Sequence, residues 1–143
     1  MDKFHIQSPK DFIQPATLLI ESNIKQLFLH GELWAWKTTF IQVRYALLTW
    51  STHILTSPTY TYFNMYDNNL LHADMRRIEK QTDLLELWFF ELLDHYEYLA
   101  VERPKRTEEY ATPGLYAHIT IEKINKDERS LTIIVWENIK KIS

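Results

Sequence analysis

Glycine is almost missing from this chain. Gly31 and Gly114 are the only two in 143 residues, and 83 positions separate them. Backbone that must approach an anion closely, or hold a positive φ, normally depends on glycine. No G-x-G-x-x-G, no G-x-x-x-x-G-K-[ST] and no G-x-S-x-G occurs. A mononucleotide-binding α/β enzyme is therefore not expected. The same scarcity permits long unbroken helices.

The segment 70–100 carries the strongest helical signal. It contains no Gly or Pro. Leu71, Met75, Ile78, Thr82, Leu85, Phe89, Leu92, Tyr96 and Leu99 alternate in spacings of four and three, which predicts an apolar seam down one long helix. Thr82-Asp83 before Leu85-Glu86 is the one place where an internal cap would split it. Trp36, Phe40, Val43, Leu47, Trp50 and Ile54 repeat the same spacing. Residues 34–55 are rich in Thr, Val, Ile and aromatics, which suits a strand, but their periodicity favours a helix. Ser8-Pro9-Lys10-Asp11 reads as a helix start, and Pro15 kinks or restarts it. A first helix over 16–30 follows, with Ile20, Ile24, Leu27 and Phe28 on one face and Gly31 as its C-cap.

Strands are expected at 59–66, 115–124 and 131–137. Ala117, Ile119 and Ile121 alternate with polar neighbours, and Asn125-Lys126-Asp127-Glu128 supplies a turn. The expected fold is α+β: three main helices, the last long (about 70–100), packed on a small antiparallel sheet with a C-terminal β-hairpin. With 45% hydrophobic and 24% charged residues, the chain reads as one globular domain over 1–143 with a sizeable core. No apolar run approaches the roughly 18 residues of a membrane span. The first residues lack an apolar leader, so a cytoplasmic protein is expected.

Composition removes several chemistries. Without cysteine there is no thiol nucleophile and no thiolate zinc site. A net charge of −3 disfavours broad nucleic-acid binding. Arg76-Arg77 and Arg103-Pro104-Lys105-Arg106 are the candidate basic patches, and both read as solvated surface. No pair among His5, His30, His53, His72, His95 and His118 has i, i+4 or H-E-x-x-H spacing, so no metal site is expected. His72-Ala73-Asp74 is the closest approach to one, but on a helix its side chains point apart. Glu122-Lys123 is adjacent and falls on opposite strand faces, which does not fit a restriction-type nuclease. No Arg precedes a His at the four-to-six spacing of a HEPN-type ribonuclease, and intervals such as Arg44 to His53 are too long. No serine stands in a catalytic context. No catalytic residue and no cofactor are assigned.

Two surfaces remain. On a continuous helix Asp83, Glu86, Glu91, Asp94 and Glu97 lie within an arc of roughly 140°, with Phe90 inside it. Such a stripe is usually a solvated face. Its functional reading is an acidic patch with an aromatic anchor for a basic partner. The second is aromatic. Trp36 and Trp50 belong to a helical seam, whereas Tyr60, Tyr62 and Tyr66 share a strand face that is either under a helix or open to a partner. The leading expectation is a non-catalytic protein-binding module, most concretely an immunity or antitoxin-type inhibitor that masks a basic toxin such as a nuclease. One alternative is a small enzyme or ligand-binding domain whose pocket is lined by Tyr60, Tyr62, His118 and Trp136. The other is a structural subunit, homodimeric along the long helix.

Overall fold

The computed structural model describes residues 1–32, 35–49, 63–66, 69–75, 89, 91–104 and 111–139. Its elements among these are β1 (Asp2–Ile6), a 3-10 turn (Pro9–Phe12), α1 (Ile13–Glu21), β2 (Gln26–His30), α2 (Lys37–Thr49), β3 (Phe63–Tyr66), β4 (Leu70–Asp74), a second 3-10 turn (Leu93–His95), β5 (Tyr98–Glu102), β6 (Gly114–Lys123) and β7 (Arg129–Asn138). The seven strands form one mixed sheet in the order β1-β7-β6-β2-β5-β4-β3. β2 runs parallel to both β5 and β6, and β4 runs parallel to β5. The pairs β1 with β7, β6 with β7, and β3 with β4 are antiparallel.

This is an α/β arrangement and corrects the expected three helices on a small antiparallel sheet. The first helix does not run over 16–30. Asn23 takes a left-handed φ of 55°. Its N–H donates to the Ile20 carbonyl, and the Ile24 N–H donates to that of Leu19, both at 3.0 Å. That Schellman pattern ends α1 and frees Gln26–His30 to become a strand. Asn, not Gly31, is the stop signal.

The long helix over 70–100 is also corrected. Its two ends are the parallel neighbours β4 and β5, paired from Leu70 with Tyr98 to Asp74 with Glu102. Parallel strands covered on both faces read as continuous apolar runs, without the alternation that marks a half-buried strand. All five residues of β4 are buried, as are the last four of β5. Leu71, Met75, Phe89, Leu92, Tyr96 and Leu99 do pack in one cluster, but it is assembled from two strands and residues between them. The helix-mediated homodimer falls with the helix. Residues 76–88 and 90 lie outside the described residues, as do 50–55 and 59–62 of the other expected elements.

Phe40, Val43 and Leu47 of the expected seam are helical, Trp36 immediately precedes α2, and all four pack on the core formed by α1, α2 and one sheet face. Leu27, Leu29, Ile119, Ile121 and Ile133 supply that face. Phe28, Leu71, Val101 and Tyr116 point the other way. Among the described residues no helix is long and apolar enough to cross a membrane.

Candidate functional site

Three parallel strands end side by side. Their C-terminal residues are His30 on β2, Asp74 on β4 and Glu102 on β5. In open α/β sheets that edge is where ligands bind. β2 leads directly through Gly31 into α2, whose first residues are Lys37 and Thr38.

Period-two geometry places His72, Asp74 and Glu102 on the sheet face that carries α2. The Thr38 hydroxyl donates to Glu102 Oε2 at 3.0 Å. His72 Nε2 donates to the same oxygen at 2.6 Å. Burial alone would raise the Glu102 pKa, but the His72 bond and charge, the Thr38 bond and the Lys37 charge outweigh it, and the net shift is downward. Glu102 is thus held as a buried carboxylate. Asp74, also buried, accepts from the Arg103 guanidinium. Arg103 takes a left-handed φ of 54°, and its N–H donates to Leu29 O at 2.8 Å, which continues the pairing of β5 with β2 by one residue.

Lys37 is buried, and its Nζ donates to the Gly31 carbonyl at 2.7 Å. Burial lowers its pKa and the Arg103 charge adds to this, while Glu102 and Asp74 oppose it. A desolvated ammonium beside a neutral carbonyl is a ready acceptor site for an anion. Gly31 itself is irreplaceable locally. Its φ is +149°, and a Cβ there would sit 2.4 Å from the Ile121 carbonyl oxygen.

Gly31, Lys37 and Thr38 therefore stand at the strand–loop–helix positions of G-x-x-x-x-G-K-[ST], with Trp36 where the second glycine belongs. Trp36 adopts the left-handed φ of 71° that the glycine normally supplies. Requiring both glycines hid the motif. The usable signal was Gly31, an apolar run before it and Lys37-Thr38 opening a helix. In such a loop the lysine reaches the β- and γ-phosphates and the hydroxyl lies on Mg²⁺.

The residues singled out from sequence lie elsewhere. Asp83, Glu86 and Phe90 are outside the described residues, as are Tyr60, Tyr62 and Trp50. Glu91 is exposed, Asp94 falls in the 3-10 turn, and Glu97 precedes β5 and pairs with Lys25 at 3.3 Å. Beyond Leu92 the 3-10 turn and β5 end any helical run, so Asp94 and Glu97 do not continue a helix face with Glu91. Trp136 is 55% exposed on β7. His118 shares its sheet face and meets a different partner, His30, with Nδ1 of His118 2.8 Å from Nε2 of His30. Among the described residues no three His, Asp or Glu side chains converge as metal ligands.

The histidine pair gives a pH prediction. Burial, then the charges of His118 and Lys37, lower the His30 pKa. As pH falls below about 6.5 the unfolded chain binds the proton first. Stability from His30 is therefore full above that pH and declines toward the depressed folded value. The urea midpoint should drop between pH 7.5 and 5.5, and drop less in His30→Gln. Equal drops in both chains would remove His30 as the cause.

No curated protein matches the sequence. Among solved structures, the crystal structure of YdiB from Bacillus subtilis aligns with a TM-score of 0.63 at 26% identity, covering 92% of this chain and 83% of that one. A family model described as threonylcarbamoyl adenosine biosynthesis protein TsaE matches residues 6–131. These findings overturn the immunity or antitoxin inhibitor, and with it the basic toxin partner. The acidic and aromatic composition that suggested them is a property of the surface and core of a different fold. With the match spanning most of its length, the chain belongs to the TsaE family.

Proposed function

We propose that the chain binds a nucleoside triphosphate, its phosphates on the 31–38 loop, in the service of threonylcarbamoyl adenosine biosynthesis in the cytoplasm. Its protein partners are then members of that biosynthesis. The observation that carries this reading is the buried Lys37 ammonium, held over a neutral carbonyl at the mouth of a β2–loop–α2 unit. A triphosphate supplies an anion in place of the neutral carbonyl that this ammonium now bonds.

The residues present also fit a magnesium ion. Thr38, Glu102 and Asp74 are hard oxygen donors at one edge. Mg²⁺ bound with phosphates uses one or two carboxylates rather than an all-protein cage. When bound, the ion neutralises phosphate charge. The chain's own part is to position. Thr38 is oriented by Glu102, Glu102 by His72, and Arg103 fixes Asp74. The correction from helix to strand matters here, because it brings His72 and Asp74 to one face.

Calorimetric titration of the wild type with Mg·ATP, Mg·GTP, ADP and adenosine tests the reading. Affinity should rise from nucleoside to diphosphate to triphosphate. Absence of binding at millimolar triphosphate, or a nucleoside binding as tightly, would overturn it.

A further inference from the structure

Trp36 occupies a backbone position that tryptophan resists. A left-handed φ costs an L-residue with a side chain roughly 1–2 kcal/mol. Its carbonyl accepts the first bond of α2 from the Phe40 N–H at 3.0 Å, and Lys37 follows directly. The strained residue thus sets the direction in which the lysine leaves the loop.

The indole ring is held on two sides. Phe12 meets it edge-on at 6.4 Å between centroids, with an interplanar angle of 84°. The Arg129 guanidinium lies over it at 4.1 Å. Arg129 is itself fixed, buried to 3% exposure, with Nη1 donating to the carbonyls of Asn125, Lys126 and Glu128. An aromatic edge contact contributes about 0.5–1.5 kcal/mol, and a desolvated cation–π contact about 2. Together these offset the backbone cost. The other end of the loop is registered on the same hairpin, because Gly31 packs against the Ile121 carbonyl.

We propose that the ring clamp does at Trp36 what glycine does by conformational freedom, and that Arg129, the first residue of β7, is a positioning residue for the phosphate loop. This deepens the triphosphate reading and rests on it only for the affinity arm of the test. Glycine at 36 needs no clamp, so the dependence on Arg129 should vanish when Trp36 is replaced by it.

The experiment is a double-mutant cycle on the full chain, using Arg129→Met, Trp36→Gly and both together. Two readouts are taken: Mg·ATP affinity, and amide hydrogen exchange of the 31–38 segment without nucleotide. In the Trp36 background Arg129→Met should weaken binding and speed exchange by about tenfold, the loss of one desolvated cation–π contact. In the Trp36→Gly background it should change either by less than about threefold. Phe12→Leu, which keeps apolar volume but removes the ring edge, should move exchange in the same direction and covers the case in which Arg129→Met fails to fold. Equal effects of Arg129→Met in both backgrounds, or unchanged exchange in the Trp36 chain, would overturn the clamp. A wild type that binds no nucleotide overturns the triphosphate reading instead, and the exchange rates then decide the clamp alone.

Discussion

Replacing Lys37 with alanine should weaken triphosphate binding at least about 100-fold, equivalent to roughly 3 kcal/mol of charge-assisted hydrogen bonding. The effect is large because the ammonium is buried and already desolvated, so the phosphates meet it without a further dehydration cost. Folding should barely change. The variant loses the bond to the Gly31 carbonyl but also sheds the burial of a charge. Calorimetry gives the affinity, and a melting temperature within about 5 °C of the wild type confirms the fold. Unchanged affinity would place the phosphates somewhere other than the 31–38 loop.

Gly31→Ala should cost the fold about 3 kcal/mol or more, the magnitude of severe overpacking plus a strained φ. The added Cβ meets the Ile121 carbonyl oxygen at 2.4 Å and the Ala35 Cβ at 3.2 Å. Ile121 lies within β6, in register with Leu131 of β7, so the obstacle is sheet backbone that cannot step aside. Gly114→Ala is the control. Its φ of +121° is also unfavourable, but nothing lies within 4 Å of the new Cβ. Its cost should be about 1 kcal/mol. Urea denaturation of the three chains separates the two, and equal costs would show that space at Gly31 is not limiting.

Parts of this architecture were legible in the sequence. The alternation of Ala117, Ile119 and Ile121 marks β6, and Phe40, Val43 and Leu47 mark α2, because each of these elements has one face toward a core. β2, β4 and β5 have cores on both faces, so Leu27-Phe28-Leu29 and Leu70-Leu71 carry no alternation to read. At the two ends of 71–99, Leu71 and Leu99 then carry spacings of four and three into strands. The consequence for the site is direct. His72 and Asp74 diverge on a helix but share a face on β4, so one wrong period separates residues that converge with Glu102. The loop was hidden differently. Scarce glycine argued against phosphate binding, yet the backbone at Trp36 takes glycine's conformation with a side chain attached. Composition reports what a backbone does freely, and packing around a ring can impose the same geometry.

That scarcity also provides the most direct test of the phosphate reading. Labelling the chain with ¹⁵N-glycine yields two backbone amide resonances, from Gly31 in the loop and Gly114 at the far end of β6. On titration with Mg·ATP the Gly31 resonance should shift and saturate, and Gly114 should stay in place. Adenosine should move neither. A Gly31 resonance that stays fixed while Mg·ATP reaches millimolar concentration would contradict phosphate binding at this loop.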